Sequence, residues 1–238
     1  MLFQKLPLTF LLFLLMGFIS VNAQALPVPH SLRNKAVYYE RVRQLNNFCC
    51  GYNALYNACK LEQKLGIANP YSDVKRFENL CLPYIASRGY RPKDNAYTHI
   101  IKELSVKLNL THLESVGLRG RNNNSLIVHS CYHPDQTMQA LKQKLNAPST
   151  RTKVIHFVCI FQLPNGPHGV LVSLVKDSQE QISLHLFDNL NNQLTEGSEL
   201  KRCIDALITY FGVSSIPVNN SSVLSKPVST HAYRSKVR

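Results

Sequence analysis

Hydrophobic spacing divides the chain into a helical first half and a β-rich second half. From Cys50 onward, Ala54, Leu55, Ala58, Leu61 and Leu65 recur at the three-and-four spacing of one helical face. This predicts a helix to Lys64, with Gly66 where a C-terminal stop belongs. Two more helices are predicted over about 72–82 and 94–108, with Ser72 and Asp94 as N-caps. A short strand over 125–129 follows a polar asparagine turn, and a helix over 135–145 follows Pro134. The period then changes. Residues 153–162, 168–176 and 181–188 are β-rich runs joined by turn-forming residues at 163–167 and 177–180, the pattern of an antiparallel meander. A final helix is expected over 198–211, ending at Gly212. Residues 24–43, with Pro27 and Pro29, read as an irregular, extended lead-in. Helices first and sheet afterwards is an α+β arrangement.

The N-terminus bears on compartment. Residues 1–23 place Lys5 ahead of an apolar run that ends in Val21-Asn22-Ala23, the layout of a secretory signal peptide cleaved after Ala23. The run is shorter than the roughly 20 residues a membrane span needs, so no stable span is expected after cleavage. The domain plan is therefore a signal peptide over 1–23, one catalytic-sized domain over 24–212 and a mobile basic tail over 213–238. A secreted or periplasmic location follows. At 238 residues and 45% hydrophobic, the chain has enough apolar material for a core, which excludes wholesale disorder and a miniprotein held by disulfides alone. The formal net charge of +13 suits polyanionic surroundings, but the cations are scattered rather than interleaved with aromatics, so no specific nucleic-acid partner is indicated. Seven cysteines in an exported chain can form at most three bridges, leaving one thiol unpaired.

Candidate chemistry gathers around Cys50. A thiol at a helix start lies in the positive end of the helix dipole, which favours the thiolate. Gly51 would leave room for substrate beside the backbone. Gln44, six residues upstream, can fold back so that its amide and the Cys50 N–H converge as an oxyanion hole. Cys49 is the rival thiol, five residues from Gln44. His168 opens a strand after a turn, and Asp188 ends the next strand of the meander, where an antiparallel neighbour can bring it beside His168. Asn189 is an alternative orienter for the imidazole; Asp188 is preferred because a carboxylate also stabilises the imidazolium. His129, Cys131 and His133 alternate as metal ligands on a strand would, but no fourth ligand is evident, and neither metal nor cofactor is expected. Asn109, Asn123, Asn219 and Asn220 fit the glycosylation acceptor pattern.

On these residues the chain resembles the papain-like cysteine peptidase superfamily. The likeness rests on Gln44-x5-Cys50-Gly51, the alanine and leucine inside the helix that follows, and strand-borne His168 followed by Asp188. The HGVLVSLV…LHLFDN stretch is similar to bacteriocin-processing peptidases and ubiquitin-like-protein proteases; the latter usually carry His and Asp before Cys. The resemblance implies an α+β papain-like fold with the nucleophile helix packed on the meander. It also implies a thiol protease with Cys50 as nucleophile, His168 as base, Asp188 as orienter and Gln44 as oxyanion donor. Its substrate would be a protein or peptide, with ubiquitin-like proteins among the candidates. Three departures stand out: Cys49 adjoins the nucleophile, Gly169 replaces the aromatic that often follows the histidine, and the chain has no tryptophan. Two other readings compete. One is a cell-wall amidase of the NlpC or CHAP kind, families that lack the upstream glutamine. The other is a secreted, non-enzymatic binding protein stapled by disulfides.

Overall fold

The apolar runs of the second half form the centre of a sheet because both of their faces are covered. A computed structural model describes residues 35–110, 112–118, 126–129, 133–163, 166–189 and 198–215 (Thr111, Pro164 and Asn165 among those outside), all within the compact unit Val28–Leu224. The expected signal peptide, residues 216–238 of the expected tail, Cys131 and the acceptor asparagines 123, 219 and 220 lie outside the described residues. Among the described residues the elements are β1 (Val37–Arg41), α1 (Cys50–Lys64), α2 (Val74–Ser87), α3 (Thr98–Lys107), β2 (Leu113–Leu118), β3 (Leu126–Val128), α4 (Pro134–Asn146), β4 (Lys153–Leu163), β5 (Gly166–Lys176), β6 (Ile182–Asp188) and α5 (Glu199–Phe211). The protein is mixed α+β, with a six-stranded sheet in the order β1-β6-β5-β4-β2-β3.

The expected meander is present: β4–β5 and β5–β6 pair antiparallel. The sheet extends beyond it, because β1 joins β6 and β2 joins β4 in parallel. One core holds Leu55, Ala58, Phe77, Ile101 and Leu104 of α1–α3 against Val158, Leu171 and Phe187. The other holds Met138, Leu141, Ile204 and Leu207 of α4 and α5 against Val170, Val172 and Leu186. Burial on both faces explains why β4 and β5 read as continuous apolar runs rather than alternating ones.

Several local expectations change. The lead-in over 24–43 contains β1, so the sheet begins before the first helix. Asp73, not Ser72, caps α2, its carboxylate accepting from the Arg76 N–H at 3.0 Å. Asp94 does not cap α3, which starts after Tyr97; its carboxylate instead meets Arg91 at 2.9 Å. Val213 is buried, and Ser214 exchanges hydrogen bonds with Ile182 and Ala36, so the fold continues three residues past Gly212. Gly66 and Gly212 do stop their helices, at φ of 78° and 70°, where glycine avoids the left-handed penalty. The six described cysteines are free thiols, Cys59 and Cys81 in one core, Cys159 and Cys203 in the other and Cys49 and Cys50 half-buried, and no bridge is formed among the described residues. Cys159 on β4 and Cys203 on α5 come nearest to one, with sulfurs 3.6 Å apart.

A buried polar chain ties α1 to the sheet. Asn69 donates to Glu62 Oε2 at 2.6 Å and to the Leu108 carbonyl at 3.2 Å. Glu62 Oε1 lies 3.4 Å from His156 Nε2, within ion-pair reach though outside good hydrogen-bond geometry. His156 Nδ1 meets Ser173 Oγ at 2.8 Å. Removing one member strands the rest in a dry interior. Glu62→Ala is therefore expected to destabilise by about 3 kcal/mol in urea melts, whereas an exposed Val106→Ala should change stability by less than about 0.5 kcal/mol.

Candidate active site

The site is assembled at one end of the sheet, where α1 begins. Cys49 is the N-cap of α1 in extended conformation, with its N–H donating to the Pro92 carbonyl at 2.8 Å, and Cys50 is the first helical residue. No side chain caps this terminus and no acidic residue lies in its first turn. The positive dipole end is thus left to act on the thiol.

Two neighbouring strands bring the other groups. In the β5–β6 ladder the last pair is Leu171 with Phe187, so His168 and Asp188 lie just past its end, diagonally across from each other. Asp188 Oδ1 is 2.9 Å from His168 Nε2, and both residues are buried. A carboxylate accepts, so Nε2 carries the proton and Nδ1 is left for the sulfur. Gly169 N–H donates to Cys50 Sγ at 3.1 Å, and His168, the residue before it, acts electrostatically on the same sulfur. Cys50, His168 and Asp188 are therefore together. Asn189, the alternative orienter, points elsewhere and donates to Gln44 Oε1.

Gln44 is delivered by β1, the strand that sequence patterning missed. Arg41 pairs with Asp188 and Val42 N–H donates to the Asp188 carbonyl at 2.9 Å, which sets residue 44 beside the end of β6. Gln44 Nε2 donates to the Phe48 carbonyl at 2.6 Å, two residues before the thiol. Because Asn189 occupies Oε1, the amide nitrogen faces the 48–50 loop with a second N–H in hand. Buried Asn53 completes the brace, its side chain accepting from the Leu45 N–H at 3.1 Å.

The two glycines have different work from that expected. A Cβ on Gly51 would lie 2.5 Å from Ala96 Cβ, so the space beside it is filled by α3's lead-in rather than kept for substrate. A Cβ on Gly169 would lie 2.9 Å from Gly51 Cα and 3.1 Å from its nitrogen. That close approach of helix to strand explains why no aromatic follows His168. Phe161, opposite His168 in the β4–β5 register, instead presents its ring edge-on to the imidazole at 5.2 Å. Gly169, Phe161 and Asn53 are site residues to which sequence reasoning gave no role, and Asn189 holds Gln44 rather than the imidazole. Phe161 could have been found from the meander's register, since it faces His168 across the turn.

The electrostatics favour a thiolate–imidazolium pair. Burial pushes the Cys50 thiol up, but the hydrogen bonds from His168 and the Gly169 N–H, with the imidazolium charge, bring it below its ordinary value. Cys49 lacks those partners, and burial raises it. Burial alone would lower His168; the bonds to Asp188 and to the Cys50 sulfur raise it to about 9. For stability the two shifts oppose each other. The lowered thiol loses its contribution as pH falls through its folded value, and the raised imidazole loses its own as pH rises through about 9. In the window below about 9 where the folded pair is thiolate and imidazolium and the unfolded pair is thiol and neutral imidazole, folded and unfolded pairs hold equal protons. Urea melts should therefore show the pair's stabilisation, read as wild type minus a Cys50→Ala/His168→Ala double variant, level across that window and declining on both sides.

Beside Gln44 a hollow of about 440 Å³ is lined by residues including Glu40, Arg41, Arg43, Gln44, Tyr56 and Lys60. His129 and His133 do not continue a strand, since β3 ends at Val128, and no cluster of metal-ligating side chains occurs among the described residues. No helix among them is long and apolar enough to cross a membrane. The chain matches no protein-family model, no curated protein and no solved structure.

Proposed function

We propose that the chain is a papain-like cysteine hydrolase that acts after export on a peptide or isopeptide bond in a protein or peptide substrate. The observation that carries this reading is the sulfur of Cys50 at a helix start, receiving the Gly169 N–H at 3.1 Å, with the adjoining His168 held by Asp188 at 2.9 Å. The Cys50 thiolate attacks the carbonyl carbon. The oxyanion is received by the Cys50 N–H and the second N–H of Gln44. Protonated His168 gives its proton to the leaving nitrogen as the carbon–nitrogen bond breaks, leaving a thioester. A water then attacks the thioester while His168 takes its proton, and the thiolate departs. Asp188 fixes the ring and stabilises its charged form throughout. The position of Gln44 over the 48–50 loop supports a peptidase over an amidase lacking that glutamine. A free Cys50 thiol whose pKa is lowered by a nearby imidazole, rather than one bridged to another sulfur, supports an enzyme over a disulfide-stapled binder.

Treating the native protein with a limiting amount of iodoacetamide at pH 6.5 and mapping the adducts tests the reading. Cys50 should label at least tenfold faster than Cys49, and a peptide library should be cleaved by wild type and not by Cys50→Ala. Labelling of Cys50 confined to the denatured chain overturns it.

A further inference from the structure

The hollow beside Gln44 carries a charge that the chemistry at Cys50 does not use. Arg41, Arg43 and Lys60 line it and are exposed. The one carboxylate in its wall, Glu40, lies 3.6 Å from Lys64, which stands outside the lining, so the lining carries three cations against one carboxylate. Gln44 belongs both to this wall and, through its bond to the Phe48 carbonyl, to the segment that leads into Cys50.

We propose that this hollow is a substrate subsite for an acidic side chain, so that the hydrolase selects polypeptides carrying Asp or Glu close to the bond it cleaves. The inference rests on the hydrolase reading. The spacing follows from α1. Asn57 and Lys60 line the hollow and follow Cys50 by seven and ten positions, about 10 to 15 Å along a helix axis. An extended substrate advances roughly 3.3 Å per residue, so the acidic residue would sit about three to five positions from the scissile bond. A guanidinium pair suits a carboxylate because each can offer two parallel N–H donors.

The test compares two fluorescent twelve-residue peptides, one alternating Glu and Ala and the other Gln and Ala, by anisotropy with the full chain. The acidic peptide should bind at least tenfold tighter and should slow iodoacetamide labelling of Cys50 in a saturable way. An Arg41→Gln/Arg43→Gln/Lys60→Gln triple variant should lose both effects. Lys107→Gln/Lys144→Gln/Arg151→Gln, which removes the same charge from exposed positions outside the hollow, should keep both. Equal losses in the two triple variants, or equal binding of the two peptides, overturns the proposal, since attraction would then come from the net charge of +13 as a whole. Hollow-dependent binding without protection of a reactive Cys50 also overturns it, because the hollow would then not be a subsite. If Cys50 in the native chain reacts no faster than a denatured thiol, the hydrolase reading itself fails and takes the subsite with it. That result is read without any peptide, so the two failures are distinguishable.

Discussion

In a His168→Ala protein, alkylation of Cys50 at pH 6.5 is expected to fall by at least two orders of magnitude and to recover only as pH passes 9. The substitution removes a hydrogen bond to the sulfur and the positive charge beside it, while the burial that raises the thiol remains. Each unit by which the thiol rises costs tenfold in thiolate at a fixed lower pH. The Gly169 N–H and the helix terminus stay in place and limit the rise. Asp188→Asn separates orientation from charge. An amide oxygen still accepts from His168 Nε2, but the carboxylate that helps raise the imidazole to about 9 is gone. The alkaline limb of the wild-type profile near pH 9 should therefore move to lower pH in Asp188→Asn, with a smaller loss at pH 6.5 than in His168→Ala. A wild-type profile that simply follows an ordinary thiol, rising tenfold per unit up to about 9, would remove the ion pair from the account.

Gly169→Ala should be strongly damaging for a single added methyl. Its Cβ would stand 2.9 Å from Gly51 Cα and 3.1 Å from Gly51 N, and backbone cannot swing aside as a side-chain end can. Either β5 or the first turn of α1 must shift. Overpacking of this kind costs about 1–3 kcal/mol, and the upper part of that range applies because the obstacle is rigid. The same shift displaces the sulfur from its Gly169 and His168 partners. Urea melts and Cys50 alkylation should therefore fall together, the alkylation by at least tenfold at pH 6.5 in protein that remains folded. Full reactivity in a stable Gly169→Ala protein would show that the helix does not need this contact.

The elements that sequence patterning recovers are those whose local signals agree with their tertiary setting. α1 has both a helical stripe and a glycine stop, and the β4–β6 runs are β-rich between clear turns. β1 was missed because it is a five-residue edge strand with four of its positions at least partly exposed, directly after a proline-rich stretch. β2 was missed because Glu114, Ser115 and Gly117 interrupt its apolar character although every residue in it is buried. Glu114 is acceptable there through an ion pair with Lys102 of α3, a partner that no local pattern announces. The site shows the same division. His168 and Asp188 were legible because a hairpin fixes which strand ends meet. The brace on Gln44 was not, since it depends on β1 lying parallel to β6 and on Asn189 turning away from the imidazole.

The pairing of β1 with β6 also sets a timetable. Asn189 and Gln44 are 145 positions apart, and Gly169 and Cys50 are 119 apart. A ribosome that has just released the thiol has yet to make its imidazole, its orienting carboxylate and the strand on which β1 is laid. Contacts so distant along the chain close late and slowly. Until β5 and β6 are made, Cys50 has none of the neighbours that lower its thiol, so that shift belongs to the completed fold.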